Sequence, residues 1–226
     1  LGKRSSSELL SEIHKIVEKS QEVLCEELTE TVRIAYLERQ KELERAGFNS
    51  ETDALLEIAA VFLDLDEVKG WYPFHTVSCH IKPFAGANLE QSALEFNKID
   101  PFHPFRIAVD EKEGLSELFE YTNGQLDLHE CTRAILVGHN PSFDLSFIKA
   151  AAARTRMKKS PFHHFSTFDT AALAGLAYGQ TVLSRAVMAS GSEWDNASAH
   201  SAVYDAERTA DLFCKIVNLW DRRSEL

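Results

Sequence analysis

Cysteine is scarce and scattered. Cys25, Cys79, Cys131 and Cys214 stand far apart and form no Cys-x-x-Cys pair. That excludes a disulfide scaffold and a structural zinc site, and it fits a reducing cytoplasm. Long apolar runs are missing too: nothing approaches the roughly 20 residues of a membrane helix, and the first residues lack the apolar stretch of a secretory signal, so a soluble chain is expected. Positive charge is in deficit, with 24 Lys+Arg against 35 Asp+Glu and a net charge of −11 at pH 7. Phosphate affinity comes from Lys and Arg, so this balance argues against a whole-surface nucleic-acid binder. It leaves open a local basic patch and an acidic site that recruits metal ions as its counterions. Repeats and low-complexity tracts are absent. What remains is a chain of 226 residues, 44% hydrophobic, long enough to bury a substantial core in one domain.

The first 45 residues differ from the rest: they hold one Gly, no Pro and no Phe, while all six Pro and fourteen Phe follow. Leu9, Ile13, Ile16, Val17, Leu24 and Leu28 recur at helical spacing among Glu and Lys, and Ser7 is a suitable N-cap. Val32, Ile34 and Tyr36 alternate with period two, so TVRIAYLE also reads as a short strand; the two readings stay open.

Beyond AGFNSETD the pattern is α/β. LLEIAAVFLDL (55–65) and YPFHTVSCHIKP (72–83) read as the strands of a hairpin turning at Lys69-Gly70, with Val77, Cys79 and Ile81 on one face and Thr76, Ser78 and His80 on the other. AILVGH (134–139) is a continuous apolar run suited to a buried central strand, and the Ala-rich residues 142–157 suit a helix. FSTFD (165–169) gives a strand end, TAALAGLAYG a short helix and residues 201–220 a long one, whose expected buried stripe is Val203, Ala206, Ala210, Phe213, Val217 and Trp220.

Three carboxylates share one placement. Asp144 and Asp169 follow strand ends, and Asp205 falls in the first turns of the last helix. Side chains just past strand ends in an α/β sheet converge on the ligand crevice. Taken singly, an Asp at a helix start is ordinarily a cap. His200, five residues before Asp205, adds an imidazole at the head of that helix. Carboxylate oxygens hold hard divalent cations, a pair of which can activate water and stabilise the leaving oxygen of a phosphodiester, while a His near neutrality accepts the proton.

Residues 46–220 resemble the ribonuclease T family of the DEDD exonuclease superfamily, in the branch whose last motif is His-x4-Asp. AGFNSETDALLEIAA, KPFAGANLEQSALEFNKIDPFHPFR, GHNPSFDLSF, PFHHFSTFDTAALAGLAYGQTVLS and AHSAVYDAERTADLFCKIVN carry the likeness. The resemblance implies a ribonuclease H-like fold with a mixed central sheet flanked by helices, preceded here by a helical N-terminal segment. It implies Asp144 and Asp205 as metal ligands, His200 as general base and Asp169 as an acidic residue near the metals. Two Mg²⁺ ions, with Mn²⁺ as a substitute, would serve 3′→5′ removal of nucleotides from tRNA, other stable RNAs and single-stranded DNA overhangs by a cytoplasmic homodimer. Phe48, Phe96, Phe143 and Phe165 match stacking positions, where exposed bases lie on aromatic faces. Arg133 and Lys158, within a basic set that includes Arg156 and Lys159, match a patch that guides RNA into the other subunit's site, and phosphate contacts of this kind position rather than specify. Ser92 stands where the family has Glu.

The family's first motif, an apolar strand ending in Asp-x-Glu before Gly-Phe-Asn, is altered. QKELERAGFN places Glu42 and Glu44 at the two acidic positions. If they serve, the extra methylene at Glu42 displaces a carboxylate by about 1.5 Å and weakens catalysis. If residues 1–45 are foreign to the domain, the first metal site loses its ligands and the chain binds RNA without cutting it. In a third placement TVRIAYLE is the strand and Glu38 its acid. The expected activity is thus metal-dependent 3′→5′ exoribonuclease, with a catalytically impaired nucleic-acid-binding relative as the alternative.

Overall fold

The computed structural model describes residues 49–199 and 201–223. The helical reading of residues 1–45, and Glu42, Glu44, Phe48 and His200, lie outside them. Strands β1 (Glu57–Asp66) and β2 (Gly70–Ile81) form the expected antiparallel hairpin. Its turn needs Gly70, whose φ of 79° is left-handed. Val77 and Ile81 are buried and Ser78 and His80 exposed, as the alternation requires. Helix α1 (Gln91–Asn97) and strand β3 (Ala108–Val109) follow, β3 pairing in parallel with the end of β2.

Helix α2 (Glu111–Leu128) has a quiet sequence, because its exposed face is strongly polar. Its signal is local: Asp110 caps it by accepting from Glu113 N at 2.9 Å, and Leu115, Leu118, Phe119 and Thr122 then step at helical spacing into the core. A Cβ at Gly114 would stand 2.3 Å from Ile81 Cδ1, so only glycine lets α2 lie this close to β2.

Strand β4 (Ala134–Gly138), helix α3 (Pro141–Arg154) and strand β5 (Phe162–Asp169) form a right-sized crossover unit, and β5 pairs with β4 in parallel. Helices α4 (Thr170–Tyr178), α5 (Leu183–Ala189) and α6 (Ala202–Arg223) complete the chain. One core gathers Ile58, Ile81, Leu115, Leu118, Phe119, Leu145, Ala151 and Phe162 between the strands and helices α2 and α3. Each such large apolar side chain contributes roughly 1.5–3 kcal/mol on burial. A second core joins Ala174, Ala186, Val187, Leu212 and Ile216.

Two expectations change in detail. The stripe on α6 is wider than its periodicity indicates: Thr209, Ala210, Leu212, Phe213, Cys214 and Ile216 are buried, while Trp220 is exposed. The helix is sandwiched, with β1, β2 and β4 on one side and α4 and α5 on the other, so two faces are covered. The apolar run of β4 is not uniformly buried either, Ile135 being 41% exposed. Among the described residues the strands fall into two groups, β1-β2-β3 and β4-β5, each of β1 and β4 pairing along one edge, and α6 packs on both groups.

Candidate active site

The parallel pair β4 and β5 ends in register, Gly138 opposite Asp169. There the chain turns sharply: Asn140 takes a left-handed φ of 67°, which Asn tolerates better than most residues, and Pro141 then starts α3. Asp169 holds this turn. Its Oδ1 accepts from Asn140 N at 3.0 Å and from Ala171 N at 2.9 Å, so it caps α4 and anchors the loop leading to Asp144. His139 braces the same loop, with Nδ1 3.0 Å from Thr170 Oγ1 and Nε2 donating to the Thr181 carbonyl at 2.7 Å. Asp144, exposed in the first turn of α3, lies beside Gly138: a Cβ there would come 3.4 Å from Asp144 Oδ2.

Asp205 occupies the first turn of α6, and its Oδ1 is buried. The head of that helix is fixed from two directions. Glu57, at the start of β1, accepts from Ala202 N through Oε2 at 3.4 Å and holds His80 Nδ1 at 2.8 Å through Oε1. Tyr204 Oη accepts from Asp195 N at 2.6 Å, and its ring meets Trp194 edge-on at 5.3 Å. Asp195 in turn accepts from Ser198 Oγ at 2.6 Å and Ala197 N at 2.9 Å, and these bonds, led by the Ser198 hydroxyl, hold its carboxyl below the usual range. The turn entering His200 is therefore tied to α6. Glu57 and His139 are positioning residues missed in the sequence; the signal for Glu57 is a carboxylate set among the apolar residues Leu55, Leu56 and Ile58.

Asp144 and Asp205 supply carboxylate oxygens, the donor type that suits a hard divalent cation. Among the described residues no three His, Cys, Asp or Glu side chains gather into a metal-holding group. The other expected members, Glu42, Glu44 and His200, lie outside those residues.

The aromatic and basic residues separate. Phe143, half-buried, packs on Phe147 at 4.9 Å beside Asp144. Phe165 is 81% exposed because β5 bulges between its pairings to Ala134 and Leu136. Inside the bulge His163 Nδ1 accepts from Ser166 N at 2.9 Å, and the Phe165 ring stands edge-on to His163 at 4.6 Å. Phe96 belongs to α1; its side chain, like Phe48, is outside what the structure describes. Arg133 Nη1 donates to the Ser160 carbonyl at 3.2 Å, which sets it beside the exposed segment carrying Lys158 and Lys159. These cations sit at the starts of β4 and β5, a strand length of about 16 Å from the Gly138–Asp169 end.

A family model described as Exonuclease matches residues 43–213. The chain belongs to the RNase T exonuclease family. It is 59% identical over 180 residues to ribonuclease T of Marinobacter nauticus, covering 79% of this chain and 81% of that protein. It is 57% identical over 182 residues to ribonuclease T of Salmonella typhimurium, covering 80% and 84%, and 56% identical over 180 residues to that of Vibrio campbellii, covering 79% and 84%. Family membership makes this RNase T-type chain a hydrolytic 3′→5′ exoribonuclease acting on nucleic acid with a divalent metal. Among the described residues no helix is long and apolar enough to cross a membrane.

Proposed function

We propose that the chain trims single nucleotides from the 3′ ends of tRNA and other stable RNAs, and from single-stranded DNA overhangs, as a cytoplasmic homodimer using two Mg²⁺ ions per site. The observation that carries this reading is the placing of Asp144 and Asp205 in the first turns of two helices, each held by its own set of hydrogen bonds, within a chain of this family. In it, Asp144 and Asp205 hold the metal together with Glu42 and Glu44, and Asp169 chiefly fixes the loop that presents Asp144. Bound there, divalent ions supply water activation and neutralise the charge on the leaving oxygen. His200 takes the proton from the attacking water. Phe48, Phe96, Phe143 and Phe165 stack the terminal bases.

The separation of Arg133 and Lys158 from the Gly138–Asp169 end supports the dimer, because a patch so placed serves a partner's site better than its own. Three free cysteines among the described residues support a reducing compartment. We assign residues 46–226 to the exonuclease domain, its first strand absent or replaced, and residues 1–45 to an atypical helical segment.

The test is incubation of a 3′-overhang RNA with the purified protein and Mg²⁺. Stepwise shortening that Asp205→Asn abolishes is expected; shortening that survives that substitution overturns the mechanism, and retained binding without shortening favours the impaired relative.

A further inference from the structure

The loop from Lys98 to Ile107 carries a patch that the active site does not use. Phe102, Phe105 and Ile107 are 74%, 86% and 89% exposed, although burying such side chains is ordinarily favourable by a few kcal/mol. The loop is nevertheless built rather than slack. Pro101 and Pro104 fix two of its φ angles. Asp100 Oδ1 accepts from Phe102 N at 3.0 Å, and His103 Nδ1 accepts from Phe105 N at 3.3 Å while its ring stands 5.7 Å from that of Phe105. Arg106 turns inward and donates to the carbonyls of Leu56 and Ile81, pinning the loop to the end of the β1–β2 hairpin that carries Glu57.

That anchoring sets the patch at the margin of the candidate active site. Leu56 precedes Glu57, which caps α6 three residues before Asp205. On the other side, the charge of Lys98 reaches Asp195, in the turn entering His200. Lys82 and Lys98 are exposed at the two flanks. Flat aromatic faces held rigid and bordered by cations match single-stranded nucleic acid, whose bases stack with little regard to sequence while its phosphates seek Lys.

We infer that Phe102, His103 and Phe105 form a stacking platform for the single strand a few nucleotides upstream of the 3′ end. This rests on the exonuclease reading of the site, and the platform adds reach to it. Bases upstream of the terminal ones lie on the rings, so affinity gains with strand length until the platform is filled. The terminal nucleotides alone do not reach it.

The experiment compares the full chain with Phe102→Ala/Phe105→Ala and Phe102→Trp/Phe105→Trp, the metal being chelated by EDTA so that nothing is cut. Single-stranded oligonucleotides of about four and about 12 nucleotides are bound, each also in a form with 2-aminopurine at successive positions from the 3′ end. The Ala variant is expected to lose about tenfold or more in affinity for the longer strand and nothing for the shorter, since one stack alone is commonly of that size. The quench of an upstream 2-aminopurine disappears with it, and the Trp variant restores both. Equal affinity of the Ala variant and the parent for the longer strand overturns the platform while leaving the active site standing. A parent that binds neither strand overturns the site and the platform together. An Ala variant that weakens both strands alike and shifts the sedimentation of the protein assigns the patch to a second copy instead.

Discussion

Asn218 grips the backbone of Trp71 from 147 residues away, accepting from Trp71 N at 2.8 Å and donating to its carbonyl at 2.9 Å. A primary amide is the one side chain that offers a donor and an acceptor side by side, as a neighbouring strand would. The pair locks the far end of α6 to the start of β2, while Glu57 holds the near end. Position 70 must accommodate it: a Cβ on Gly70 would stand 2.4 Å from Asn218 Oδ1.

Asn218→Ala is therefore expected to destabilise the fold by about 2–4 kcal/mol, since both backbone groups of Trp71 lose their partner. Gly70→Ala costs about 1–2 kcal/mol for its φ and more for the collision. The urea midpoints of the single and double variants check this: the collision, unlike the φ strain, is relieved in the double variant, so the two effects must be less than additive.

Arg154 is the second fastening. It meets Glu111 in a two-pronged pair at 2.8 and 3.1 Å, donates to the Ser50 carbonyl at 2.8 Å and lies over the Phe84 ring at 4.2 Å. Glu111 is only 5% exposed. Arg154→Ala strands that carboxylate and is expected to cost about 3–5 kcal/mol, and Arg154→Lys to recover only part of it, because an ammonium lacks the fork. Thermal unfolding with Glu111→Gln as the companion variant measures the difference; Arg154→Ala equal to the parent would exclude the pair as a structural element.

Acid should act in two separate steps. If His200 is the base, cleavage falls as pH drops through the ordinary His range near about 6.5, with RNA binding at fixed salt unchanged. Asp195, whose carboxyl is held low by Ser198 and Ala197, stabilises its turn above the ordinary carboxylate range. That contribution is lost only as pH falls through its depressed value. A rate profile flat between pH 5 and 8, on the order of the usual His window, would remove His200 from the role.

Thiol chemistry should be selective. Burial pushes the Cys214 thiol up to about 11 and raises that of Cys79, while Cys131 is exposed. In a Cys25→Ser background a disulfide reagent at pH 8 is expected to modify one thiol rapidly, Cys131, since reactivity follows the thiolate and its exposure. Comparable labelling of Cys214 in the native protein would contradict the packing around α6.

The hairpin and α6 are legible in the sequence because each carries one clear period, and α3 because it is rich in Ala. Helix α2 is harder, its polar face diluting the signal that Asp110 and Glu113 supply locally. The stripe on α6 is read too narrowly because periodicity reports one buried face, and sandwiching by α4 and α5 is a tertiary fact. At the site, Asp144 is visible as a carboxylate past a strand end and Asp205 as one in the first turns of the last helix. That Asp169 spends an oxygen on Asn140 N and Ala171 N is not, since nothing in FSTFDTAAL says where that side chain turns.

The bulge in β5 makes one more point. Between the pairings of Phe162 with Ala134 and Thr167 with Leu136, β5 carries residues that the ladder does not count. Residues can be added or removed there without shifting the register on either side. The segment is thus an adjustable spacer: it sets how far Phe165 projects, so the reach of that ring can be retuned in this one stretch while the ladder that carries the acidic end stays as it is.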